Sequence, residues 1–171
     1  MSEGADLSSG VDWEAVYWAQ MPRIYNFFRY RTGDSQTAQD LTATTFMNAW
    51  RAREQYRDDL GAFEAWLFGI ARRVAADYLR GDRSHMPLEA AFHVPAAESV
   101  EGEVGRREDF ARLHALLTGL PARDAELVAL KYGAGLTNRA IAGVTGLSES
   151  NVGTLLHRIV HKLRAEWEPV L

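Results

Sequence analysis

The chain contains no cysteine among its 171 residues, so disulfides, thiolate metal sites and a thiol redox switch within it are excluded. No window approaches the run of about 18 uncharged apolar residues that a membrane span needs. The N-terminal MSEGADLSSG is acidic and polar, unlike a secretory leader, which begins with positive charge and continues into an apolar stretch. A cytoplasmic chain that makes no membrane contact of its own is expected. Glycine-rich phosphate loops and nucleophile motifs are also missing. His157 and His161 stand one helical turn apart, a spacing that can bind metal, but no third ligand of the right kind lies near them in sequence. Asp58-Asp59 falls in a polar stretch between helical patterns and does not read as a catalytic pair. No cofactor, no metal and no catalysis are expected.

What is present is enough apolar material for a core, with 47% hydrophobic and 25% charged residues, arranged as one mid-sized domain or two small ones. Trp13, Val16, Tyr17, Ile24, Phe27 and Phe28 recur at helical spacing, with Pro22 expected to break that helix or start a fresh one. After Gly33, Asp34 is placed to cap a second helix whose apolar stripe runs through Ala38, Leu41, Thr45, Phe46, Ala49 and Trp50. A third helix follows Gly61, burying Phe63, Trp66, Leu67, Ile70, Val74 and Tyr78, and stops near Gly81. Residues 84–109 then lose periodicity and gain Pro87, Pro95, Gly102 and Gly105, which predicts a linker. Helical spacing returns from Phe110 through Leu113, Leu116 and Leu117, breaks at Leu120-Pro121, and resumes with Ala125, Val128, Ala129 and Tyr132. No strand pattern and no internal repeat is evident. The fold class that follows is all-α: two small helical domains, 1–83 and 110–171, joined by a flexible acidic linker over 84–109.

Residues 138–157, NRAIAGVTGLSESNVGTLLH, satisfy the separate demands of a helix-turn-helix. Ile141 packs the first helix, and Ala142 is small where the two helices must approach. Gly146 stands in the turn, where a left-handed backbone costs glycine least. Leu147, Val152 and Leu155 hold the second helix down, and Ser148 can cap it. An ordinary helical hairpin would share the apolar spacing, but not the turn glycine, small residue and cap together. The outward face is then Glu149, Ser150, Gly153, Thr154 and His157, with Arg158, His161, Lys162 and Arg164 further along. Short polar side chains reach base edges and basic ones suit phosphates.

Charge sets a problem for that reading. The formal net charge is -4, and by region it divides into -2 over 1–83, -4 over 84–109 and +2 over 110–171. The linker carries a deficit equal to the whole, yet +2 is weak for a stand-alone DNA binder, since phosphate neutralisation supplies most non-specific affinity. Something else should hold the second domain on DNA.

The stretches DLTATTFMNAW at 40–50, AWLFGIARR at 65–73, and Leu120-Pro121 ahead of a helix-turn-helix ending Leu156-His157-Arg158 together resemble the extracytoplasmic-function (ECF) group of sigma-70-type factors. The resemblance covers nearly the whole chain in the family's order and spacing. It implies a first domain that docks on the clamp of core RNA polymerase and melts the promoter's -10 element, and a second that reads the duplex -35 element. An anti-sigma factor is the expected inhibitor, and the few residues beyond the reading helix suggest that regulation comes from another molecule. Clamp contact is expected from Asp40, Leu41, Thr44, Thr45, Asn48 and Arg51. Aromatic surface beside positive charge suits a flipped base and a single strand, and the candidates are Arg53, Tyr56, Arg57, Phe68, Arg72, Arg73 and Arg80. Ser148, Glu149, Ser150, Asn151, Gly153, Thr154, His157, Arg158, His161 and Lys162 are the -35 candidates. Two weak DNA contacts on a polymerase-bound body act at high effective concentration, so neither domain needs a strongly basic surface. Two rivals remain: an autonomous helix-turn-helix regulator with a sensing first half, which would need the alternating strands of a receiver, and a helical interaction module with no DNA role.

Overall fold

Short polar side chains decide where several of the helices begin. Asp12, Asp34 and Ser148 each stand in extended backbone and accept from the N–H three residues on, at Ala15, Thr37 and Asn151 respectively, which satisfies a donor the first helical turn would otherwise leave orphaned. The computed structural model describes residues 10–57, 62–81 and 104–168, and among them the chain is helical throughout, with no strand. The elements are α1 (Trp13–Thr32), α2 (Ser35–Arg51), α3 (Phe63–Leu79), α4 (Val104–Thr118), α5 (Ala122–Val128), α6 (Asn138–Thr145) and α7 (Glu149–Trp167). Most of the expected linker, 84–103 of 84–109, lies outside the described residues.

α1, α2 and α3 form the first unit. Ile24, Phe27, Phe28, Ala38, Leu41, Ala49, Leu67, Phe68 and Ala71 are sealed from solvent between them, with Phe27 edge-on to both Phe28 and Phe68 at ring separations of 5.2 and 6.2 Å. Gly33 closes α1 at φ 75°, a conformation that favours glycine. The second unit packs α5 and α6 on α7, burying Leu127, Val128, Leu130, Leu136, Ile141, Val152, Leu155, Leu156 and Ile159. A π-helical turn over Ala129–Gly133 ends α5, with the Ala134 N–H bonding the Ala129 carbonyl at 2.9 Å.

Three expectations are corrected. Pro22 neither breaks nor restarts a helix: α1 runs through it. Pro22 and Trp18 are both exposed, so the Trp18 carbonyl, which loses its helical donor to the proline, lies on the solvent side. The linker boundary is also too late, because α4 already begins at Val104. Trp50 and Tyr132 join no core: they are 44% and 52% exposed.

The two units lie against each other. The π-turn packs on α1 and α6 packs on α3. His114 of α4 sits over Gly33, where a Cβ would fall 2.5 Å from its ring. Burial holds the His114 pKa below its ordinary value, the Arg29 charge adds to this, and a hydrogen bond with the Arg31 backbone opposes it. The folded chain therefore binds fewer protons at this site than the unfolded one, so the stability it contributes is present above about pH 6.5 and lost as pH falls through the lowered folded value. The thermal midpoint is expected to fall between pH 7.5 and 5.5, and His114→Gln to remove part of that fall; identical profiles for the two proteins would refute this account.

Candidate nucleic-acid interface

The helix-turn-helix emerges from its local chemistry as expected. Thr137 caps α6 by accepting from the Ala140 N–H, α6 closes at Gly146 with φ 80°, and Ser148 opens α7. Ile141 and Val152 are sealed, with Leu155 and Leu156 nearly so. Ser148, Glu149, Ser150, Asn151, Thr154, His157, Arg158, His161 and Lys162 are all exposed on one continuous helix and its cap. The Thr154 hydroxyl donates to the Ser150 carbonyl at 3.1 Å, which leaves its oxygen free to accept from a base edge. Gly153 differs from the others: it is half-buried and a Cβ there would meet Asn138 Nδ2 of α6 at 3.6 Å. It is a close-approach position between the helices and is no part of the reading face.

A groove of about 310 Å³ runs between α2 and α3, lined by Leu41, Thr44, Asn48, Arg51, Ile70, Arg73, Val74, Asp77 and Tyr78, with Ala52 at its end. It joins four of the expected clamp residues to Arg73 from the expected -10 set. Leu41 and Thr44 form its floor, whereas Asn48 and Arg51 rise to the surface. Asp40 accepts from the Gln36 amide at 3.2 Å and is half-exposed at the edge of the same helix. Thr45 does not belong with them. It is 0% exposed and its hydroxyl is used by the Leu41 carbonyl at 2.8 Å, so its place is in the apolar stripe.

The expected single-strand set is scattered over three sites. Phe68, expected to turn toward the arginine face, is 0% exposed and packs on Phe27; it is core. At the start of α3, Tyr56 stacks edge-on to Phe63 at 5.2 Å and tilted on Trp66 at 5.4 Å. Nearby, the Arg53 guanidinium lies 4.0 Å over the Trp50 ring and donates to the Trp50 carbonyl, while Arg57 is exposed. Arg73 faces the α2–α3 groove, and Arg80 is exposed and paired with Asp77. Arg72, one residue from Arg73 and so about 100° around the helix, faces the second unit, where it binds Glu126.

Sequence reasoning missed an aromatic cleft formed by Trp13, Tyr17, Phe46 and Trp50, with Glu14 at its rim, and the cross-unit partners Arg23, Glu126 and His114. The signal for the cleft was a tryptophan at the start of α1, Trp13, and another near the end of α2, Trp50. The cross-unit contacts left no local signal.

The Sigma-70 region 2 family model matches residues 17–85, and the Sigma-70 region 4 model matches residues 110–163. The chain is 32% identical to the ECF RNA polymerase sigma factor BldN of Streptomyces coelicolor over 82% of this chain and 54% of that protein, so it spans about half the length of that relative. It is 26% identical to SigL of Mycobacterium tuberculosis over 94% of this chain and 92% of SigL, and 26% identical to SigM of Bacillus subtilis over 89% and 93%. Among solved structures it shares its fold with CnrH in complex with the cytosolic domain of CnrY, at a TM-score of 0.68 and 23% identity over 90% of this chain and 85% of that one. The sigma factor RpoE of Bartonella quintana, solved with the anti-sigma factor NepR, matches at 0.64 and 20% identity over 90% and 95%. With both regions matched in order, each on its own helical unit, and likeness to factors of this type over most of this chain, the chain belongs to the ECF group of the sigma-70 family of RNA polymerase sigma factors.

Proposed function

We propose that this chain is a promoter-specificity subunit that binds bacterial core RNA polymerase, catalyses nothing itself, and works in the cytoplasm at the nucleoid. The observation that carries the reading is the pairing of a capped helix-turn-helix, whose exposed face holds short polar residues followed by Arg158 and Lys162, with a separate α2–α3 groove edged by Asn48, Arg51 and Arg73. One unit suits duplex bases and phosphates; the other offers a docking surface and a cation beside it. The domains are assigned as 1–83 for polymerase clamp and -10 element, a tether that ends where α4 begins at Val104, and 104–171 for the -35 element. Docking is assigned to Asp40, Leu41, Thr44, Asn48 and Arg51, and single-strand contact to Arg53, Tyr56, Arg57 and Arg73. An anti-sigma factor is the expected inhibitor, in keeping with the complex of RpoE with the anti-sigma factor NepR solved from Bartonella quintana.

The deciding experiment is transcription by purified core polymerase from a library of random upstream sequences, with and without the chain. Defined start sites sharing two elements at fixed spacing are the expected result. A duplex shift by the chain alone, with nothing gained by polymerase, would replace this reading with an autonomous regulator. Within the same assay, Arg158→Ala and Lys162→Ala should weaken upstream binding on every sequence and each lower its salt slope by about 1, whereas Glu149→Ala and Thr154→Ala should change which sequence is preferred. Equal effects of all four on all promoters would refute that division.

A further inference from the structure

Between the start of α1 and the end of α2 lies a cleft of about 420 Å³ walled by Trp13, Tyr17, Phe46 and Trp50. That volume falls within the range of about 300–1,000 Å³ typical of small-molecule sites, which are likewise lined by aromatic side chains with few polar groups. Phe46 is buried and forms the floor, Trp13 and Tyr17 are half-buried, and Trp50 stands 44% exposed at the mouth. The rings meet at steep angles. Trp13 and Trp50 are 87° apart in plane with centroids separated by 5.7 Å, and Tyr17 and Phe46 are 66° apart with centroids separated by 5.0 Å. Neither pair offers two parallel faces between which a flat nucleobase could stack. Walls set this way enclose a rounded group.

Charge selects the group. Glu14 stands exposed at the rim and enters no hydrogen bond or ion pair among the described residues. Asp12, two positions earlier and also exposed, gives one carboxylate oxygen to the Ala15 N–H. The Arg53 guanidinium lies 4.0 Å over the Trp50 ring, so this ring already draws one cation, and a second must sit on the Glu14 side, away from Arg53. Hydrogen bonding narrows the class further. The lining side chains offer only Glu14 and the Tyr17 hydroxyl as acceptors, too few for the three N–H donors of a primary ammonium or the five of a guanidinium. A quaternary ammonium has no N–H to satisfy, and its charge is attracted by the faces of the rings its methyl groups touch.

We propose that the α1–α2 cleft binds a small quaternary ammonium compound, its methylated nitrogen boxed by Trp13, Tyr17 and Trp50 over the Phe46 floor and its charge balanced by Glu14. The cleft shares no lining residue with the α2–α3 groove and lies on a different unit from the exposed face of α7. The site therefore stands independently of the function proposed above.

Choline and its neutral isostere 3,3-dimethyl-1-butanol differ in charge at almost constant shape. Titrating each into the full-length chain, followed by calorimetry and tryptophan fluorescence, separates cation attraction from apolar burial. Choline is expected to bind with a Kd of about 1 mM or below, inside the ceiling for a ligand of about seven heavy atoms, and about tenfold more tightly than the isostere. Trp50→Leu should weaken choline about tenfold and Glu14→Gln severalfold. Both positions are exposed, so the circular dichroism signal and the ligand-free thermal midpoint should stay near the parent's. Saturating choline should raise the midpoint of the parent by a few degrees and leave that of Trp50→Leu unmoved. Equal affinity for choline and the isostere would reduce the cleft to an apolar pocket and overturn the assignment. Tighter binding of butylammonium, an analogue of the lysine side chain, overturns it in favour of a lysine supplied by a protein partner. Choline affinity unchanged in both variants places the binding elsewhere, and no choline binding at any concentration that leaves the fold intact ends the proposal outright.

Discussion

Replacing Phe27 with alanine is expected to cost about 3–5 kcal/mol of stability and to lower the thermal midpoint by about 10–20 °C. Phe27 is sealed from solvent and lies between Phe28 and Phe68, with Ile24 one turn before it on α1. The ring therefore leaves a cavity that its neighbours can fill only by moving helices α1 and α3 relative to each other. Since a domain's whole stability is about 5–15 kcal/mol, the first unit would be marginal or unfolded at 37 °C. Phe27→Leu, which keeps most of the volume, should cost less than half as much. Thermal unfolding followed by circular dichroism checks both, and a Phe27→Ala midpoint within about 3 °C of the parent would mean that the ring does not carry the packing assigned to it.

Local chemistry was legible in the sequence and long-range chemistry was not. The caps at Asp34 and Ser148 and the left-handed turns at Gly33 and Gly146 each depend on residues within four positions of one another, so a single stretch carries the whole signal. Pro22 misled because the cost of a helical proline depends on where the freed carbonyl points, which only the packed structure decides. α4 starts before its apolar pattern does: Phe110 is anchored by Tyr30 at 5.6 Å and by the Arg29 guanidinium at 4.5 Å, both on α1, and those partners are some 80 positions away. At the site, helical spacing assigned Thr45 to the apolar stripe and the family resemblance assigned it to the docking face, and burial resolves this for the stripe. Arg72 and Arg73 were indistinguishable as adjacent arginines, although one turns into the α2–α3 groove and the other onto the second unit.

Substituting Asn48 with glutamate should reduce polymerase binding by about thirtyfold or more and abolish promoter-directed transcription, with little change in stability. Asn48 stands halfway along the α2–α3 groove between floor residue Thr44 and rim residue Arg51. It is half-exposed in the free chain, so a carboxylate there keeps its water and costs folding little. Covered by a docked partner, that carboxylate loses its solvent, and a buried charge at an interface that is not fully paired costs about 2–5 kcal/mol. On the proposed docking reading, Arg51 and Arg73 of the groove cannot rescue it for free, because pairing either with the new carboxylate withdraws it from its proposed contact. Asn48→Ala separates the alternatives: it removes the amide without adding charge and should cost less than about tenfold if shape and burial dominate. The exposed face of α7 is untouched in both variants, so duplex binding by the second unit should be equal to that of the parent. Normal polymerase affinity in Asn48→Glu would place the docking surface elsewhere on the first unit, and the aromatic cleft of Trp13, Tyr17, Phe46 and Trp50 is then the next surface to substitute.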